Sequence, residues 1–184
     1  MRNKEYQTEV LSKLERIFVD GGVVPEWDVA RNSEDEFTRA LYSPRLDFAV
    51  GPFNIDANII WNNNRIDEFY VRFQLFLQKL KSMSDMNDST FKPNKNPRCF
   101  LAIELEDKTS RKHRIGTIIN ASAMGKIGII VAANESVFRS FQRIRKYLVF
   151  LQEVSKSNYN PKNVMILKKE DFLRILEEEA GIKH

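Results

Sequence analysis

The sequence predicts an α/β fold in which a mixed sheet is flanked by helices. Three observations carry that expectation. The runs Phe100 to Leu105 and Lys126 to Ala132 are nearly continuous apolar stretches of the kind buried on both faces of a sheet. Segments with apolar residues at helical spacing precede, separate and follow them. Short β-prone pieces near the start of the chain, broken by turn residues, add a meander to the same sheet.

Taken in order, residues 4–19 form a first helix, since Tyr6, Val10, Leu11, Leu14, Ile17 and Phe18 make one apolar stripe and Gly21-Gly22 stops it. Residues 23–30 enter a strand that the polar stretch 31–36 breaks. A second strand is expected over 37–42 and a third over 45–50, ended by Gly51-Pro52. Residues 55–98 change character. Phe69, Val71, Phe73, Leu75, Phe76, Leu77 and Leu80 predict one good helix, and 82–97, rich in Ser, Asn, Asp, Lys and Pro, read as a mobile loop. The segment is therefore expected as a helical insertion within a single domain.

The core pattern resumes with the strand at 100–106. Ser110 is placed to cap a helix running to about Met124, and Gly125 sits where a left-handed C-terminal residue is wanted. After the buried strand at 126–132, residues 136–154 form a helix with Phe138, Phe141, Ile144, Leu148 and Leu151 on one stripe and Arg139, Arg143 and Lys146 largely off it. A short strand at 163–167 and a helix at 170–180 complete the order.

Composition narrows the function classes. With 184 residues, 42% apolar and 29% charged, the chain is long enough for one domain with a proper core and too apolar for general disorder. The formal charge of +4 permits a polyanionic partner without requiring one. Cys99 is the sole cysteine, which excludes an internal disulfide and a cysteine-built zinc site. No run is long and apolar enough to span a bilayer, and Met1 is not followed by an apolar targeting segment. A soluble, cytoplasmic protein is expected.

Two carboxylates end the strand at 100–106. Glu104 and Glu106, at i and i+2, point to the same face with Cα atoms about 6.6 Å apart. Placing like charges there has a cost unless a cation or a substrate sits between them. This pair is the first candidate for a site. Asp47, on the short strand at 45–50, is the second, its structural alternative being a turn cap or a pair with Arg45. Arg111, Lys112 and Arg114 open a helix against its dipole, which suits a phosphate nearby as well as an ordinary surface. His113 among them reads as a surface residue, and Arg139, Arg143, Arg145 and Lys146 as a solvated face.

A leading helix, a strand carrying Asp47 in Ser43-Pro44-Arg45-Leu46-Asp47-Phe48, a later strand ending in Glu104-Leu105-Glu106, a helix and a buried strand together resemble the PD-(D/E)-X-K nuclease superfamily, the restriction-endonuclease-like fold. The resemblance spans about residues 5–166, with 55–98 outside it. It implies Mg²⁺-dependent, or Mn²⁺-dependent, hydrolysis of DNA, of restriction or repair type. The implied ligands are Asp47, Glu104, Glu106 and the Leu105 carbonyl. Glu9 on the first helix would complete the set, unless it forms an i,i+4 pair with Lys13. It also implies that Arg111, Lys112, Arg114, Arg139 and Arg143 grip the DNA backbone and, by analogy with enzymes that cut both strands, a homodimer.

Two departures stand out. Pro44 lies three residues before Asp47 instead of beside it, and Glu106 occupies the position the family usually gives to lysine. The attacking water would then be activated by the metal or by the carboxylate, the alternative being a relocated lysine, Lys108 or Lys112. The rival classes are a nuclease-like module that binds nucleic acid or a protein without cutting, and a carboxylate-pair enzyme such as a glycosidase. Against the glycosidase stand the scarcity of tryptophan, only Trp27 and Trp61, and the acids at strand ends.

Overall fold

The structure, a computed structural model, describes residues 4–31, 44–55, 59–86, 91–107, 110–157 and 161–181. Its five strands, β1 (Val23–Asp28), β2 (Arg45–Phe53), β3 (Cys99–Glu106), β4 (Gly125–Ala132) and β5 (Val164–Lys168), lie side by side in chain order. The first three run antiparallel, and β3, β4 and β5 are parallel. Parallel neighbours need a crossover connection, which helices supply here. The remaining elements are α1 (Lys4–Ile17), α2 (Ile59–Arg72), α3 (Gln74–Met83), α4 (Arg111–Met124), α5 (Glu135–Glu153) and α6 (Lys169–Ala180).

Both faces of this mixed sheet are covered. On one, Val10, Leu14, Ile66, Phe76, Leu80 and Phe172 from α1, α2, α3 and α6 pack on Leu101, Ile103, Ile127 and Ile129. On the other, Ile118, Phe141 and Leu148 from α4 and α5 pack on Ile130, Val164 and Ile166. Every residue of β3 and β4 is buried, as a strand covered on both sides requires. The expected α/β class is what the chain adopts. Among the described residues no helix is long and apolar enough to cross a membrane.

Several expectations are corrected. The segment 55–98 holds two helices, with Phe73 as the one residue between them. It supplies the centre of the core: Phe73 lies 4.7 Å from Phe18 and 6.0 Å from Phe100, ring centre to ring centre. The described part of 82–97 is not loose. β5 is an edge strand whose backbone groups need partners, and Asp85 provides them. Its N–H donates to the Ile166 carbonyl and its Oδ1 accepts the Ile166 N–H, both at 3.2 Å. Arg145 holds the same carboxylate at 2.8 Å. Further along, the Lys92 and Asn94 N–H groups donate to the Lys162 and Lys126 carbonyls.

β2 runs through Gly51-Pro52, a cis pair, to Phe53. Gly125 is extended, with φ −86°, and opens β4 instead of closing a helix left-handed. A Cβ there would lie 2.9 Å from the Ala102 Cβ, so close packing on β3 is what favours glycine. Ser110 occupies the N-cap position of α4, but its side chain makes no capping hydrogen bond. The strand expected over 37–42 and the turn at 32–36 lie outside the described residues.

Candidate functional site

The β2–β3 register shifts between Val50 and Phe53, and the β1–β2 ladder is interrupted further along β2. β1 and β2 pair Pro25 with Phe48 and Trp27 with Leu46, leaving Glu26 and Asp47 between them. Glu26 holds φ +51°, a left-handed conformation that costs a residue with a side chain about 1–2 kcal/mol. On the other side, the β2–β3 pairing starts at Phe48 and Ile103. Beyond it a side chain substitutes for the main chain: Asp47 Oδ2 accepts the Leu105 N–H at 2.7 Å. Because the N–H and C=O of a strand residue point to the same side, the Leu105 carbonyl also faces this break.

A cleft of about 500 Å³ opens there, lined by Asp47, Glu104, Glu106, Lys112, His113 and Thr117 with Glu26 and Asp28 on its β1 wall. The three predicted carboxylates are thus brought into one cavity. All are buried, at 4%, 5% and 3% exposure, so their charge needs compensation from within the site. Glu106 receives it from α4. Its Oε1 lies 2.7 Å from His113 Nε2 and accepts the Thr117 hydroxyl at 3.0 Å. His113 and Thr117 are four residues apart and share a helix face, which aims both at the strand end. On the β1 wall Glu26 pairs with Arg45 at 2.8 Å, and Asp28 accepts the Ala30 and Arg31 N–H groups at 3.1 and 3.3 Å.

Among the described residues no three His, Cys, Asp or Glu side chains are gathered closely enough to cage a metal ion. Mg²⁺ is bound through one or two carboxylates, with waters and substrate phosphates completing its shell. Asp47, Glu104 and the Leu105 carbonyl are a hard, all-oxygen donor set of that kind. Glu106, engaged by His113 and Thr117, serves better to orient α4 against the strand end than as a third ligand.

The other predicted residues are distributed as follows. Lys112 lines the cleft from the first turn of α4. Lys108 lies outside the described residues, and Arg111 opens α4. Arg114 is buried, donates to Ser140 Oγ and lies over the Phe141 ring at 5.7 Å, so it fastens α4 to α5 and does not reach out to a DNA backbone. Glu9 forms the i,i+4 pair with Lys13 at 3.4 Å and does not line the cleft, because α1 packs on the opposite sheet face through Val10, Leu14 and Ile17. Arg139 pairs with Glu135 at 2.7 Å and Arg143 Nε donates to the Arg139 carbonyl at 3.4 Å, both on the exposed side of α5 away from the cleft.

Sequence reasoning passed over His113 as a site residue and did not single out Thr117, Glu26 or Asp28. The i,i+4 spacing of His113 and Thr117 after an acid-terminated strand was the available signal. For Glu26 there was none, because its placement follows from a backbone conformation. Comparison with protein-family models, curated proteins and solved structures found no match to this chain.

Proposed function

We propose that the protein is a Mg²⁺-dependent nuclease that hydrolyses DNA phosphodiester bonds in this cleft, on a restriction-endonuclease-like sheet. The observation that supports it most is the placement of Asp47 and Glu104, two buried carboxylates at adjacent strand ends, where the ladder breaks and Lys112 overlooks the gap. A divalent cation held by Asp47, Glu104 and the Leu105 carbonyl would supply a nucleophilic hydroxide at neutral pH and neutralise charge on the phosphate. The Leu105 N–H fixes the Asp47 carboxylate in its place. Lys112 provides positive charge for the phosphate oxygens as negative charge builds. His113 and Thr117 hold Glu106, and through it the first turns of α4, against the end of β3.

A second reading has its own support. Glu106, in the position the family gives to lysine, is engaged by His113 and Thr117, so β3 offers no ammonium beside the other two acids. That favours a module that binds DNA without cutting it. A calorimetric titration with Mn²⁺ is the first test. The wild type is expected to bind the cation and Glu104→Gln to lose it. A flat titration of well-folded wild-type protein would overturn the metal site and with it the nuclease.

A further inference from the structure

The mouth of the carboxylate cleft differs in charge from its floor. Asp47, Glu104 and Glu106 are buried, whereas the cations that line the same cavity reach into solvent. Lys112 stands on one side, in the first turn of α4. Arg31 and Arg45 line the cleft from β1 and β2, with side chains 83% and 63% exposed. Each is held by a carboxylate of β1. Asp28 Oδ1 accepts the Ala30 and Arg31 N–H groups at 3.1 and 3.3 Å, which turns the chain at the end of β1, and its Oδ2 lies 3.4 Å from Arg31 Nε. Glu26 Oε2 lies 2.8 Å from Arg45 Nε on the neighbouring strand.

We propose that Arg31 and Arg45 form a phosphate clamp, which binds backbone phosphates of the DNA strand beside the one at the carboxylates. The proposal rests on the nuclease reading of the cleft and adds to it the residues that carry substrate affinity. Stability does not account for the arrangement. An exposed ion pair returns less than the left-handed backbone of Glu26 costs, and strain of that kind is kept where a site uses it. The pairing also leaves donors for a ligand. A guanidinium carries five N–H groups in a planar fork and one carboxylate takes at most two, so each arginine retains at least three for phosphate oxygens. Holding the guanidinium in place beforehand lowers the entropy lost when a phosphate binds. The charge pattern of the cleft calls for such groups. Three buried acids repel a polyanion, and cations at the mouth on both sides offset that repulsion where the strand enters. Arg114, Arg139 and Arg143 do not serve there, being tied to Ser140, Glu135 and the Arg139 carbonyl.

The test follows binding of a fluorescent oligodeoxynucleotide duplex by anisotropy over a salt series, with Ca²⁺ in place of Mg²⁺ to hold back cleavage. Arg31→Gln and Arg45→Gln are each expected to weaken binding on the order of tenfold at low salt, the loss of one charged hydrogen-bonding group. Each should also lower the slope of log affinity against log salt by about 0.9, the value of one phosphate contact on a duplex. Arg143→Gln, on the exposed side of α5 away from the cleft, removes the same charge and is expected to leave the slope as it is. Both arginines are exposed, so the glutamine variants should melt close to wild type. Unchanged slopes in Arg31→Gln and Arg45→Gln, with wild type bound, would overturn the clamp and leave the metal site standing. An equal fall in Arg143→Gln would show that affinity follows net charge alone and would overturn the clamp as well. Folded wild type that does not bind the duplex or its separated strands would overturn the nuclease reading, and the clamp with it.

Discussion

Replacing Asp47 by alanine and by asparagine separates two roles that one carboxylate performs. In the folded chain its Oδ2 accepts the Leu105 N–H at 2.7 Å, at a point where β2 no longer offers β3 a main-chain acceptor. Alanine leaves that N–H without its partner at a buried position, a loss of about 1–3 kcal/mol. Asparagine keeps a carbonyl oxygen in reach and removes a negative charge from beside Glu104 and Glu106, so its stability should match or exceed wild type. In a domain of this size each kcal/mol is about 2–4 °C of melting temperature. Metal-free thermal melts should therefore place Asp47→Ala several degrees below Asp47→Asn. Repeating the melts in Mg²⁺ should raise the wild type alone, because a ligand stabilises only the state that binds it. If the two variants melt together without metal, the Leu105 hydrogen bond does not contribute as argued; if both still gain from Mg²⁺, Asp47 is not a ligand.

Other substitutions probe other contacts. Glu106→Lys removes the acceptor for Thr117 and the partner of His113, so it should lower stability by about 1–3 kcal/mol, and an unchanged urea midpoint would show that those contacts contribute little. Arg145→Met strands the Asp85 carboxylate among apolar groups and should cost about 3–5 kcal/mol at neutral pH. Burial already holds Asp85 above its usual carboxyl value, against the pull of Arg145, and without that pull it rises further. A raised native pKa means that the folded state binds the proton more tightly; its contribution is present below the unfolded value near 3.8 and is lost as pH rises through the native one. The deficit of Arg145→Met should accordingly shrink in melts taken at progressively more acidic pH. Ser155, at φ +56°, closes α5 with its N–H on the Gln152 carbonyl and the Lys156 N–H on the Leu151 carbonyl. Ser155→Gly should stabilise the protein by about 1 kcal/mol, and a lower melting temperature would show that the serine side chain has a role not seen in these contacts.

What the sequence revealed and what it hid follow from range. The stripes of α1 and α5 and the apolar runs of β3 and β4 are local patterns, and the chain follows them. Glu104 and Glu106 stood out because acids at the end of a buried strand conflict with their surroundings. The junction at Phe73 was hidden because Phe69 to Leu80 keeps helical spacing straight through it. The polar composition of 82–97 marked a segment without regular structure, yet not that Asp85 would satisfy the edge of β5. In the site, the bond from Leu105 to Asp47 joins residues 58 apart, and the left-handed Glu26 leaves no trace in residue type. Arg114 was misplaced for a related reason: helical position shows which side a residue occupies, but not that Ser140 and Phe141 of the next helix wait there.

Cleavage itself is the most direct measurement. Wild type and Asp47→Asn are incubated with supercoiled and single-stranded DNA in Mg²⁺, in Mn²⁺ and with a chelator. Wild type is predicted to cut in the presence of either metal and to stop with the chelator, while the asparagine variant, equally well folded, leaves both substrates intact. Folded wild type that binds DNA and cuts nothing under any of these conditions, or an Asp47→Asn protein that cuts as fast as wild type, would contradict a metal-dependent nuclease built on this carboxylate cleft.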